Sequence, residues 1–250
     1  MKLHMIAFGG DAQDFSAGLV TMPFIADPLI RASSNVVQLS DDWYTVYAFV
    51  GGVGLTRVRL SSASSRIRGY PNLFPFTASH LGGSNPQIVD MRDFPIDLKN
   101  GENVTMQATN GGAQATVLLI QLGRGGMNYN INAGGLRWIR WTCTLTSVAY
   151  QWGPEANIVL DDDIEAGNYN VWDFNYFEAD AIAGRLVFKD QVERPGCIAN
   201  QVVTDAPNMT MKGGQGLMGT FNSITPPFFQ SMHVAAASQS LTGYMLVSKA

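Results

Sequence analysis

The chain has 250 residues, 16 Lys and Arg against 20 Asp and Glu, a formal net charge of −4, and only 14% charged residues. That balance offers no cationic excess to neutralise phosphates, so it argues against tight nucleic-acid binding, and no sequence-specific recognition is expected. Unbroken apolar runs such as Val117–Ile120 are far too short to span a membrane, and Met1–Gly10 lacks the apolar core of a secretory signal.

Taken in order, the elements read as strands. Asp41-Asp42 forms an acidic turn before Tyr44–Val50, which is apolar on both faces and so is expected to be covered twice. After Gly51-Gly52, Arg57 and Arg59 alternate with Val58 and Leu60, and Arg66 and Arg68 extend the basic run. The run reads as one polar strand face; a local site for an anionic partner is the alternative. Gly69–Asp90 is a long irregular stretch. Asn100-Gly101, between Ile96–Leu98 and Val104–Met106, predicts a hairpin closed by a type I′ turn. Val104, Met106 and Ala108 alternate with Thr105, Gln107 and Thr109, and Thr116–Ile120 is a further strand.

Gly123–Gly135 (GRGGMNYNINAGG) predicts a linker, dividing a first domain, 1–122, from a second, 136–250. Beyond it, Trp141, Cys143 and Leu145 alternate with threonines. Asp161-Asp162-Asp163, with Glu165 close by, reads as a solvated turn before the strand at Tyr169, with a Ca²⁺ site as the alternative. Pro195–Gly219 is a second long irregular stretch, and long loops in compact domains are usually functional. Tyr244–Val247 is the closing strand. Helical periodicity is almost absent, so the chain is expected to be all-β, a sandwich or barrel.

Chemistry-bearing motifs are scarce. His4, His80 and His233 lie in unrelated contexts without His-x-His spacing, and each reads as a surface or loop residue. Cys143 and Cys197 show no C-x-x-C spacing and read as free, buried apolar residues. No Gly-x-Ser-x-Gly elbow occurs, and Gly123-Arg124-Gly125-Gly126 lacks the Lys-Ser of a phosphate loop. Asn103-Val-Thr and Asn208-Met-Thr match glycosylation sequons, set aside because no secretory signal is seen. No catalytic, cofactor or metal residue is expected, and the chain is not expected to be an enzyme.

Five matches recur in the same order at offsets of 125 to 128 residues: Trp43–Phe49 with Asn168–Phe174, Arg57–Leu60 with Arg185–Phe188, Arg68-Gly69 with Arg194–Gly196, Asp27-Pro28 with Gly153-Pro154, and Thr116–Ile120 with Gly243–Val247. The offset is half the chain length, which predicts a duplicated domain. Two tandem β-sandwiches, a glycine-rich connector and low charge resemble the major capsid proteins of the double jelly-roll lineage, which includes adenovirus and the tailless, membrane-containing icosahedral phages. The resemblance covers nearly the whole chain and rests on the repeats, above all Tyr44/Tyr169, Val46/Val171, Phe49/Phe174 and the closing strands.

It implies two tandem jelly rolls in a trimeric, pseudo-hexagonal capsomer of a virus shell. Partners would be other copies of the chain, other virion proteins such as a vertex protein, and an internal membrane where one is enclosed. The place would be the virion, assembled in the host cytoplasm. Each half is short for the lineage, which implies compact barrels with small tower loops. Trp138, Trp141, Trp152 and Phe228-Phe229 are candidates for intersubunit contacts. The alternative reading is a carbohydrate- or receptor-binding β-sandwich, spike or lectin-like.

Overall fold

The computed structural model describes residues 1–52, 55, 57–63, 87–126, 135–199 and 216–250. Arg66, Arg68, Gly69, His80 and Asn208 lie outside the described residues, as do most of the two long irregular stretches and residues 127–134 of the linker. The architecture is all-β, with eighteen strands among the described residues. The chain divides into two compact units, Ile6–Gly123 and a second formed by Arg124–Ala250 together with Met1–Met5.

In the unit Ile6–Gly123, one sheet runs β1 (Lys2–Gln13), β10 (Gln114–Arg124), β5 (Trp43–Gly52), β7 (Gln87–Asp90), with β8 (Asp97–Leu98) also on β5. The other runs β2 (Val20–Thr21), β9 (Asn103–Thr109), β4 (Val36–Gln38), β3 (Arg31–Ser33), with β6 (Arg57–Ser61) also on β9. The period-two alternation supplies the core. Ile6, Phe8, Ala48, Leu118 and Ile120 from the first sheet share one apolar cluster with Val58, Leu60, Val104, Met106 and Ala108 from the second. Thr45 to Ala48 are all buried, as the two-faced apolarity of β5 predicts.

The expected hairpin at Asn100-Gly101 does not form. β8 pairs with β5 while β9 belongs to the other sheet, so the turn carries the chain from sheet to sheet. Glu102 N–H donates to the Lys99 carbonyl at 3.1 Å, and Gly101 takes a positive φ of 75°. Asn100 does not join it in the left-handed region, so the I′ geometry, which requires both residues there, is not adopted. The Asp42 carboxylate accepts the Asn100 N–H at 2.8 Å and fixes the turn from outside.

In the second unit a single path joins eight strands: β15 (Gly196–Ile198), β14 (Ala181–Val187), β17 (Phe228–His233), β12 (Ala156–Leu160), β11 (Arg137–Thr146), β18 (Ser238–Lys249), β13 (Asn168–Phe177), β16 (Gly219–Asn222). The path curls, so its two ends enclose a core. The Phe229 ring sits at its centre, 5.0 Å from Trp141 and from Tyr176 between ring centroids. Two glycines make room for the rings. A Cβ on Gly184 would fall 2.6 Å from Phe229, and one on Gly243 would collide with the Trp141 indole.

The first five residues pack with this unit, although their place in the sequence puts them in the first domain. Met5 N–H donates to the Arg194 carbonyl at 2.9 Å, and Arg194 N–H donates back to His4 Nδ1 at 3.0 Å. Lys2 and Arg124 both pair with the buried Glu193, Lys2 at 3.2 Å. Gly196 leaves the gap that Met5 fills, since a Cβ there would stand 2.7 Å from Met5 Cε.

Candidate functional surface

The described histidines and both cysteines are interior. His4 is 1% exposed and His233 is fully buried, which corrects the expectation of surface histidines. Each imidazole enters the interior because a hydrogen bond meets it there: Arg194 N–H for His4, and the Ser231 hydroxyl at 2.7 Å from Nε2 for His233. Cys143 and Cys197 are free and buried, as the sequence predicts. Burial pushes the Cys143 thiol up to about 11 and the Cys197 thiol well above its ordinary value, so neither is a thiolate at neutral pH.

The acidic run after β12 closes that strand back onto β11. Arg140 donates through Nη1 to Asp161 Oδ2 at 2.5 Å and through its backbone N–H to Asp162 Oδ2 at 2.9 Å. Among the described residues no group of three or more His, Cys, Asp or Glu is placed to hold one metal ion. A polar cluster that sequence reasoning missed lies around Arg185, which is fully buried. Its Nε donates to Gln230 Oε1 at 2.9 Å, and its guanidinium lies 4.1 Å from the Trp152 ring centroid. Arg194 donates to the same Gln230 oxygen at 2.6 Å and to Glu155 at 3.0 Å. The signal was an arginine inside the otherwise apolar strand AIAGRLV.

Part of the accessible surface is sheet face. In the first unit β9 turns Asn103, Thr105, Gln107 and Thr109 outward, opposite the buried Val104, Met106 and Ala108. β6 adds Arg57 and Arg59, and the β3–β4 hairpin adds Arg31 and Gln38. Arg59 donates through Nε to Gln107 Oε1 at 2.7 Å. None of the strands of this sheet carries an Asp or Glu. Arg57 and Arg59 therefore share a polar, cationic face, and Arg31 joins them from a strand that the basic run in the sequence did not include.

The second unit exposes a neutral face. Val159 on β12 is 59% exposed and Phe228 on β17 is 38% exposed. Trp138 and Trp152 are half-buried, whereas Trp141 and Phe229 are core residues and present nothing to a neighbour, which corrects their selection as contact residues. No protein-family model matches the sequence, and comparison with curated proteins finds no match.

Proposed function

We propose that the chain is a structural, non-catalytic subunit of an icosahedral virus shell, built from two jelly rolls that arose by duplication. The observation that carries the reading is the agreement between the two units' strand pairings. Taken in chain order, β1, β2, β5, β6, β7, β9 and β10 correspond to β11, β12, β13, β14, β16, β17 and β18. The pairings β1·β10, β10·β5, β5·β7, β2·β9 and β6·β9 then correspond to β11·β18, β18·β13, β13·β16, β12·β17 and β14·β17. The matched strands make a four-stranded and a three-stranded layer, to which β15 adds an eighth strand in the second unit, and a jelly roll alternates in this way between two four-stranded layers. The β3–β4 hairpin and β8 occur among the described residues of the first unit and β15 in the second, while the β11·β12 pairing has a smaller counterpart in the antiparallel bridge of Phe8 with Phe24, just after β2.

A shared irregularity supports common descent. Val46 is an extra residue in β5 opposite Gln121-Leu122, and Trp172 is an extra residue in β13 opposite Leu246-Val247. Bulges of this kind are kept as designed features. In a trimer, two fused barrels per chain give six similar barrels about one axis, and such a block tiles a closed shell. The neutral face of the second unit around Val159 and Phe228 suits side-by-side packing of barrels. Light scattering after size exclusion, with electron microscopy of the heaviest fraction, tests the reading. Three 27.1 kDa chains per particle and larger closed assemblies are expected. A chain that stays monomeric at high concentration and low salt overturns it.

A further inference from the structure

We propose that a depression on the outward face of the first unit's second sheet binds a sugar acid, with Arg31 taking the carboxylate. It is lined by Arg31, Ser33, Val36, Gln38 and Asn103. Arg31 pairs across from Gln38, and Gln38 across from Asn103, so the three form one row over adjacent strands about 4.8 Å apart. Gln38 Nε2 donates to Asn103 Oδ1 at 2.9 Å. That bond holds both amides and leaves Gln38 Oε1 as an acceptor and Asn103 Nδ2 as a donor.

The row is set by a strained turn. Ser33 pairs with Val36, so Ser34 and Asn35 alone close the hairpin, and Ser34 sits at φ 55°, a region uncommon for a residue other than glycine. A two-residue loop fixes register, and here it fixes Arg31 opposite Gln38. The Arg31 guanidinium has no carboxylate partner among the described residues, and none of these strands carries an acidic residue.

One planar cation beside a hydroxyl, an amide donor, an amide acceptor and a small apolar patch matches a ligand with one negative group, several hydroxyls and a C–H face. A guanidinium grips a carboxylate through two parallel hydrogen bonds. A simple anion would leave the amide row unused. The proposal goes beyond the shell reading and does not rest on it.

Calorimetric or NMR titration of the whole chain with glucuronic acid, glucose and acetate tests it. Glucuronate should bind with a Kd on the order of 1 mM, and acetate and glucose each about tenfold or more weaker. Arg31→Gln should weaken glucuronate about tenfold without moving the melting temperature. Arg31→Lys should fall between, because it keeps the charge and loses the fork. The proposal is overturned if glucuronate does not bind, if acetate binds as tightly, or if Arg31→Gln leaves the affinity unchanged.

Discussion

Two buried groups give this fold a pH response that neither reveals alone. Asp173 is 3% exposed, and burial pushes its carboxyl up to about 7 against the opposing hydrogen bond from Phe174 N–H at 2.8 Å. The native state holds a proton that the unfolded chain releases above its ordinary value of 3.8, so stability falls as pH climbs from near 4 to about 7 and is level beyond. His233 runs the other way. Burial pushes its imidazole down to about 4, with the Asp180 charge opposing. The native state stays neutral where the unfolded chain gains a proton, so stability is lost as pH falls from 6.5 to about 4.

Across the shared window, about pH 4 to 6.5, the slopes oppose at up to about 1.4 kcal/mol per unit each and nearly cancel. Asp173→Asn keeps an oxygen for Phe174 N–H and removes the charge. It should raise the melting temperature near pH 8, gain nothing near pH 3.5, and unmask a fall between pH 6.5 and 4. His233→Gln in the same background should abolish that fall. Thermal melts over the range check both, and a parent-like melting temperature for Asp173→Asn near pH 8 contradicts the first. None of this was legible in the sequence. His4 is buried because its partner is the Arg194 backbone, 190 residues away, and no local pattern reports such a contact. The acidic turns were legible as exposed turns before strands, but their partners were not: Asp42 accepts from Asn100 N–H and Asp162 from Arg140 N–H, both distant in sequence.

At the level of elements, period-two alternation was the reliable signal. It located β6, β9 and β11 with the buried positions on the correct face, because a strand with one face in the core must alternate. Register was harder to read. Aligned on the bulges, Val46 and Trp172 are 126 residues apart, so the counterpart of Tyr169 is Trp43 and not the identical Tyr44. Trp43 and Tyr169 are both buried, while Tyr44 is half-exposed. The side-chain identity that suggested the repeat was one residue out of phase, since a one-residue slip moves every side chain to the other face. Asn100-Gly101 failed as a hairpin signal for a related reason: turn chemistry specifies a reversal but not which sheet receives the next strand.

Gly196 offers a test at this scale. Valine suits a strand, so a loss of stability at this position would come from its Cβ meeting Met5 Cβ at 2.8 Å. Gly196→Val should cost about 1–3 kcal/mol. It should also accelerate hydrogen exchange at the Met5 N–H, which in the parent is bonded to Arg194. Parent-like exchange at Met5 with unchanged stability contradicts the close-packing account.

For the whole molecule, the proposed duplication would matter because it lets two flanks diverge. A single barrel with one self-complementary flank closes a symmetric oligomer without a second copy. Fusing two copies allows contacts inside a capsomer to be tuned apart from contacts between capsomers. The charges of the two units differ in this way. The first unit's β6 faces outward with Arg57 and Arg59, while the matching part of the second unit buries Arg185 and follows it with Lys189, Asp190 and Glu193. The second unit also exposes Asp162, Asp163 and Glu165 on loops. In the shell reading, the cationic face of one copy meets acidic loops of another, at a rim open to solvent. Such contacts weaken as the Debye length shrinks from about 10 Å at 0.1 M salt to about 3 Å at 1 M. The apolar cores do not depend on salt in that way. Raising ionic strength should therefore release capsomers from shells while the melting temperature holds, and replacing Arg57 and Arg59 with Glu should move that release to lower salt. Particle mass followed against salt for both proteins checks this. Shells that persist unchanged to high salt, or that come apart only as the barrels unfold, would place the contacts in the neutral faces around Val159 and Phe228 instead.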